Sequence, residues 1–143
     1  MSTSLVVKLR TQAAANPSLA ALLTSGGVFC WFGPQAPPGA SQPLVEVMEI
    51  SQVPQYGTAL LPTLCLYRVQ FTIWDTSLEG AKAVKNAIIN FLTTFSAFAP
   101  PGSPSLLRPN RVVNARIGKS QAQTAPITYW VSVDAMIWNN ELS

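Results

Sequence analysis

One change of hydrophobic period, within residues 66–95, constrains the fold of this chain more than any other feature. Tyr67, Val69, Phe71 and Ile73 alternate with Arg68, Gln70, Thr72 and Trp74. A period of two belongs to a strand with two chemically different faces. Past Asp75-Thr76-Ser77 the apolar residues Leu78, Ala81, Val84, Ile88, Phe91, Leu92 and Phe95 recur at steps of three and four. That spacing places them on one side of a helix. A strand that feeds directly into an amphipathic helix means an α+β or α/β body. Thr76, with Glu79 three residues on, matches a capping box and predicts a helix over 77–95. Lys82, Lys85 and Asn86 then mark its solvated side.

The remaining elements follow from weaker signals. Residues 3–15 read as a helix with a narrow stripe of Leu5, Val6, Leu9 and Ala13. Asn16-Pro17 is a restart signal, because Asn caps and Pro fits the first helical position. A short second helix over 17–23 is stopped by Ser25-Gly26-Gly27. Strands are predicted at 28–32, 44–50, 64–74, 111–117 and 126–138. Connections rich in Pro and Gly separate them at 33–43, 51–62 and 99–110, with a polar turn at 118–125. Helices, then strands, then one helix, then strands favours α+β over α/β. The expected architecture is a mostly antiparallel sheet of about four to five strands. An N-terminal helix unit and one long amphipathic helix pack on one of its faces. The 143 residues are read as a single domain, 1–143.

Composition narrows the function. Only 10% of residues are charged against 48% hydrophobic, where about 25% charged is usual. A deficit of that size points to surface buried in an assembly. The net charge of +3 permits contact with nucleic acid without requiring it, because the nine Lys and Arg are scattered. Cys30 and Cys65 sit in apolar strand-like segments and are expected to be buried thiols. The N-terminus lacks the basic and apolar regions of a signal peptide. No apolar run is long enough for a membrane span. A soluble protein, made in a cytoplasm and without a membrane partner, is the expectation.

The chain has no histidine, which removes the commonest general base and metal ligand. There is no phosphate-binding Gly-rich loop and no Gly-x-Ser-x-Gly elbow. Glu46 and Glu49 are three apart on a predicted strand and point to opposite faces. Asp75 is placed to complement a helix N-terminus. Asp134, on the mixed face of the last strand, is the acid of most interest, with a salt bridge or an exposed position as its ordinary roles. The expectation is no enzyme, no metal and no cofactor. Arg108, Arg111, Arg116 and Lys119 surround the fourth long strand, as a phosphate-binding stripe or as solvated charge. On a regular strand Arg111 and Arg116, five apart, would face opposite ways. Trp74, Trp130, Met136 and Trp138 fall on strand faces opposite the apolar stripes, where they serve either a subunit interface or a second packed layer of the same chain.

The sequence resembles the tail terminator (tail-completion) proteins of long-tailed bacteriophages. The likeness is carried by the N-terminal helix with Asn16-Pro17-Ser18-Leu19-Ala20-Ala21-Leu22-Leu23, then Gly27-Val28-Phe29, then a Pro-rich loop ending in Pro43-Leu44-Val45-Glu46-Val47. Its most specific part is Tyr67-Arg68-Val69-Gln70-Phe71-Thr72-Ile73-Trp74-Asp75 before the amphipathic helix. The chain departs from the simplest members in its second Pro-rich insert, 99–110. The resemblance implies a non-catalytic virion subunit that assembles into a ring, usually a homohexamer. Such a ring caps the tail tube, ends its polymerisation and presents a surface to the head–tail connector, at the tail–neck junction. Viral DNA passes through its lumen without sequence-specific binding. On that reading Trp74, Trp130, Met136 and Trp138 are assigned to subunit contacts. A docking arm for tube or connector comprises Val53, Pro54, Gln55, Tyr56, Gly57, Leu60 and Leu61. Arg68, Gln70 and Thr72 are assigned to the lumen. Another neck or tail-tube structural subunit, and a small DNA-binding module, are the competing readings.

Overall fold

Capping side chains set the helix ends. In the computed structural model, which describes residues 4–25, 27–37, 43–54, 64–95, 111–120 and 128–140, helix α1 spans Leu5–Ala15 and α2 spans Pro17–Leu23. The Ser4 hydroxyl accepts the Val7 N–H at 3.3 Å. The Asn16 side chain accepts the Leu19 N–H at 3.1 Å, with Pro17 in the first turn. Helix α3 spans Leu78–Thr94, and its cap is Ser77, which accepts the Gly80 N–H at 3.2 Å. The cap predicted at Thr76 therefore falls one residue later, and with Gly80 at the third helical position no side chain returns to complete a capping box. The Asp75 carboxylate competes for Thr76, taking its backbone N–H at 2.7 Å. The same carboxylate closes against Gly80, where a Cβ would collide with it. Ser77→Ala is expected to cost about 1 kcal/mol in thermal or urea unfolding, and Thr76→Ala a fraction of that.

The strands are β1 (Thr24–Ser25), β2 (Val28–Phe29), β3 (Phe32–Gly33), β4 (Leu44–Pro54), β5 (Leu64–Asp75), β6 (Arg111–Ser120) and β7 (Thr128–Asn140). Five of them form one sheet in the order β3-β4-β5-β7-β6. Only the β3–β4 pair is parallel. The strand predicted at 28–32 divides in two. Gly27, at φ 80, turns the chain so that β2 pairs back onto β1, and β3 alone joins the large sheet. β4 runs four residues beyond its predicted end, into the segment read as a loop. The cause is a bulge between Glu49 and Ser51, which shifts the alternation of side chains by one. β6 likewise continues to Ser120 and carries a bulge between Val112 and Asn114.

The fold is α+β, with α1, α2 and α3 on one face of the sheet. That face is apolar: Tyr67, Val69, Phe71 and Ile73 of β5, Val131, Val133, Ala135 and Ile137 of β7, and Val45 and Val47 of β4 are all buried. Leu5, Leu9 and Ala13 of α1, Leu19 and Leu23 of α2, and Val84, Ile88, Phe91 and Leu92 of α3 complete one core. Phe32 and Phe71 meet within it at 6.2 Å between ring centroids. Cys30 is buried at the rim of this core, and burial pushes its thiol pKa up. Among the described residues no helix is long and apolar enough to cross a membrane.

Candidate functional site: the open face of the sheet

The register of β5 against β7 assembles the second face. Leu66 lies opposite Trp138, Arg68 opposite Met136, Gln70 opposite Asp134, Thr72 opposite Ser132 and Trp74 opposite Trp130. Residues directly opposed in a ladder project to the same side. The residues read as subunit contacts and those read as lumen-lining therefore interleave on one face. Trp74 and Trp130 lie at one end and Trp138 at the other, with Arg68, Gln70, Thr72 and Met136 between them. β4 extends this face with Glu46 and Met48, opposite Thr72 and Gln70. β6 extends it with Asn114, Arg116 and Gly118, opposite Asp134, Ser132 and Trp130. Among the described residues no helix packs on this side, and the three tryptophans are half-buried.

Short polar contacts tie the strands together here. Arg68 donates to the Asp134 carboxylate at 3.0 Å, with side-chain exposures of 43% and 6%. Gln70 donates to the Ser132 hydroxyl at 2.9 Å. The Trp74 indole donates to one oxygen of Glu46 at 3.0 Å, and the Ala36 N–H donates to the other at 2.8 Å. Asp134 is thus one half of an ion pair. Its second oxygen, Oδ1, and Nε of Arg68 are buried without a hydrogen-bond partner among the described residues. Trp130 reaches across to the neighbouring strand over Gly118, in space that a Cβ at 118 would occupy. The result is a surface with aromatic ends and a polar middle, in which Arg68 and Asp134 neutralise each other.

The bulge in β6 overturns one expectation. Arg111 lies opposite Met136 and Arg116 opposite Ser132, four residues apart on β7. The extra residue places both positions on the same face, not on opposite faces. Arg108 lies outside the described residues. Of the predicted docking arm, Val53 and Pro54 belong to β4, where they pair with Leu66 and Cys65. Gln55, Tyr56, Gly57, Leu60 and Leu61 lie outside the described residues. Among the described residues no three His, Cys, Asp or Glu side chains come together to hold a metal ion.

Sequence reasoning missed the exposed apolar residues along the two sheet edges: Met48 and Ile50 on β4, Val113 and Ile117 on β6. The apolar residues of these strands occupy both parities, so the sequence offers no single apolar face from which their exposure could be read.

No protein-family model matches this sequence, and no curated protein is similar to it. Among solved structures the fold is similar to that of a chain from the virion of a native gene transfer agent (GTA) particle. The TM-score is 0.54 at 17% sequence identity, with 94% of each chain covered. At that identity the likeness is one of fold.

Proposed function

We propose that this chain is a structural protein of a phage-like virion. In this reading it is a tail terminator, a subunit that closes into a ring on the end of the tail tube. The ring stops tube growth and offers its outer surface to the head–tail connector. The observation that carries the proposal is the end-to-end match of fold, over 94% of both chains, to a chain of a GTA virion. The sequence resemblance points the same way, and the 10% charged content suits a subunit covered on several sides. The absence of histidine from the sequence suits a non-catalytic role.

The open face gives the proposal its chemistry. DNA binding strength comes chiefly from unneutralised cations facing phosphate. A passage for DNA must let it slide, so its lining should be polar without a free positive row. Arg68, Gln70 and Thr72 provide such a lining, because Asp134 cancels the charge of Arg68. Trp74, Trp130 and Trp138 at the ends of the same face, with Met136 beside Arg68, contact neighbouring proteins in the particle. By resemblance the ring number is six, and the partners are further copies of the chain, the tube protein and the connector.

Native mass measurement and mixing with purified tail tubes test this reading. A ring-sized particle that binds one end of a tube supports it. Addition along the tube would make the chain a tube subunit instead. A protein that stays monomeric and ignores tubes overturns both. Trp130→Ala and Trp138→Ala are expected to move the ring toward monomer in light scattering. The DNA-binding alternative gains from Arg111 and Arg116 sharing a face, and it requires salt-dependent DNA titrations. Flat titrations at low salt would discard it.

A further inference from the structure

Two long strand edges of the sheet are open. β6 is paired only with β7, and β4 carries β3 only at Val45 and Glu46. Among the described residues, no strand pairs with the outer side of β6, or with the side of β4 away from β5 at residues 47–54. Open edges of this length are templates for another strand. The two edges are matched in length and opposite in charge. β6 contains Arg111, Arg116 and Lys119 and no acid, while β4 contains Glu46 and Glu49 and no base. They are matched in apolar surface as well. Ile117 of β6 is exposed on the helix side of the sheet, opposite Val131. Beside the β4 edge lies a groove of about 830 Å³ lined by Val7 and Arg10 of α1 and Val47 and Met48 of β4.

Strand direction fixes how two copies would meet. β4 and β7 each run antiparallel to β5, and β6 runs antiparallel to β7. β6 therefore runs opposite to β4. A copy rotated about an axis along the strands brings its β6 antiparallel to the first copy's β4. The two faces then continue from one copy to the next. Arg116, on the open face, comes to the side of Glu46 and Met48, and Ile117 comes to the helix side, toward the part of the groove lined by Val7 and Val47. The patches differ, so the contact is head-to-tail and repeats until a ring closes.

We infer that β6 of one copy adds to residues 47–54 of β4 in the next, joining neighbouring sheets into one continuous antiparallel sheet. This rests on the ring proposed above and specifies its interface. The backbone hydrogen bonds of the edges join neighbouring sheets, and the tryptophans of the open face add side-chain contacts beside that seam.

Cysteine pairing tests it. Two differently tagged versions of the full chain are co-expressed, one with Met48→Cys or Ser51→Cys, the other with Asn114→Cys or Arg116→Cys. All four positions are exposed, so folding is not at stake. After mild oxidation, at least one of the four combinations is expected to give a mixed-tag disulfide dimer. Its yield should be at least about tenfold above the background of the unsubstituted protein, since cross-strand Cβ atoms lie within disulfide reach. Ile117→Cys, on the other side of the sheet, should give no dimer with Met48→Cys. A ring-sized native mass with no such dimer, or with equal pairing to Ile117→Cys, overturns the edge pairing and leaves the ring. A monomer at every concentration, without dimer, overturns both.

Discussion

Truncating Phe71 to alanine is expected to lower the unfolding free energy by about 3–5 kcal/mol, as for large-to-small changes at other buried aromatic sites. Phe71 is fully buried. It sits near the middle of β5, between Val47 of β4 and Val133 of β7. Its ring meets Phe32 on β3, so a single side chain links the central strand to the short parallel edge strand. Flanked on both sides by other strands and covered by helices, the site has little freedom to collapse onto the cavity. A domain of this size has a total stability of about 5–15 kcal/mol, so the loss is a large fraction of it. Urea unfolding followed by tryptophan fluorescence should show a lower midpoint with an unchanged slope. Trp74, Trp130 and Trp138 on the opposite face make the sheet its own probe. A loss below about 1 kcal/mol would mean that β5 is not the centre of the core.

What made β5 and α3 legible is that both obey a single period for their whole length. The apolar stripe at 67–73 turns out to be the buried face of the sheet, and the stripe from Ala81 to Leu92 the buried face of the helix, with Leu78 half-buried at its start. The break between α1 and α2 was legible for a different reason. Asn16-Pro17 is a chemical stop and start that needs no tertiary context. The bulges were not legible. Glu49-Ile50-Ser51 and Val112-Val113-Asn114 contain no Gly or Pro, and an extra residue in a ladder leaves no mark until the partner strand is known. Each bulge then misled the reading downstream: it hid the last four residues of β4, and it reversed the face assigned to Arg116 relative to Arg111. The candidate site suffered in the same way. Asp134 stood out as an acid on a mixed face, but its partner Arg68 is 66 positions away, and only the β5–β7 register brings them together. That register also shows that residues sorted into two roles by resemblance share one continuous surface.

The ion pair at the centre of that surface gives the second large effect. Arg68→Met is expected to destabilise the fold by about 3 kcal/mol, the low end for breaking a buried pair by removing one partner. The low end applies because Arg68 is 43% exposed, so water already shares its solvation, whereas the Asp134 side chain is only 6% exposed. The same asymmetry predicts that Asp134→Leu costs much less. The freed guanidinium can turn to water, but a stranded carboxylate cannot. The double variant Arg68→Met/Asp134→Leu should return close to the parent stability, because two apolar side chains replace a pair whose desolvation offset most of its attraction. Urea unfolding of the four proteins closes the cycle, and equal losses for the two single variants would refute the asymmetry. The cycle also bears on function. If this face lines a passage for DNA, Asp134→Asn leaves Arg68 uncancelled in every subunit and adds a ring of cations to the lining. Assembled particles of that variant should retain DNA with a steep salt dependence that the parent lacks. Retention that is identical in the two would place the open face away from the DNA path.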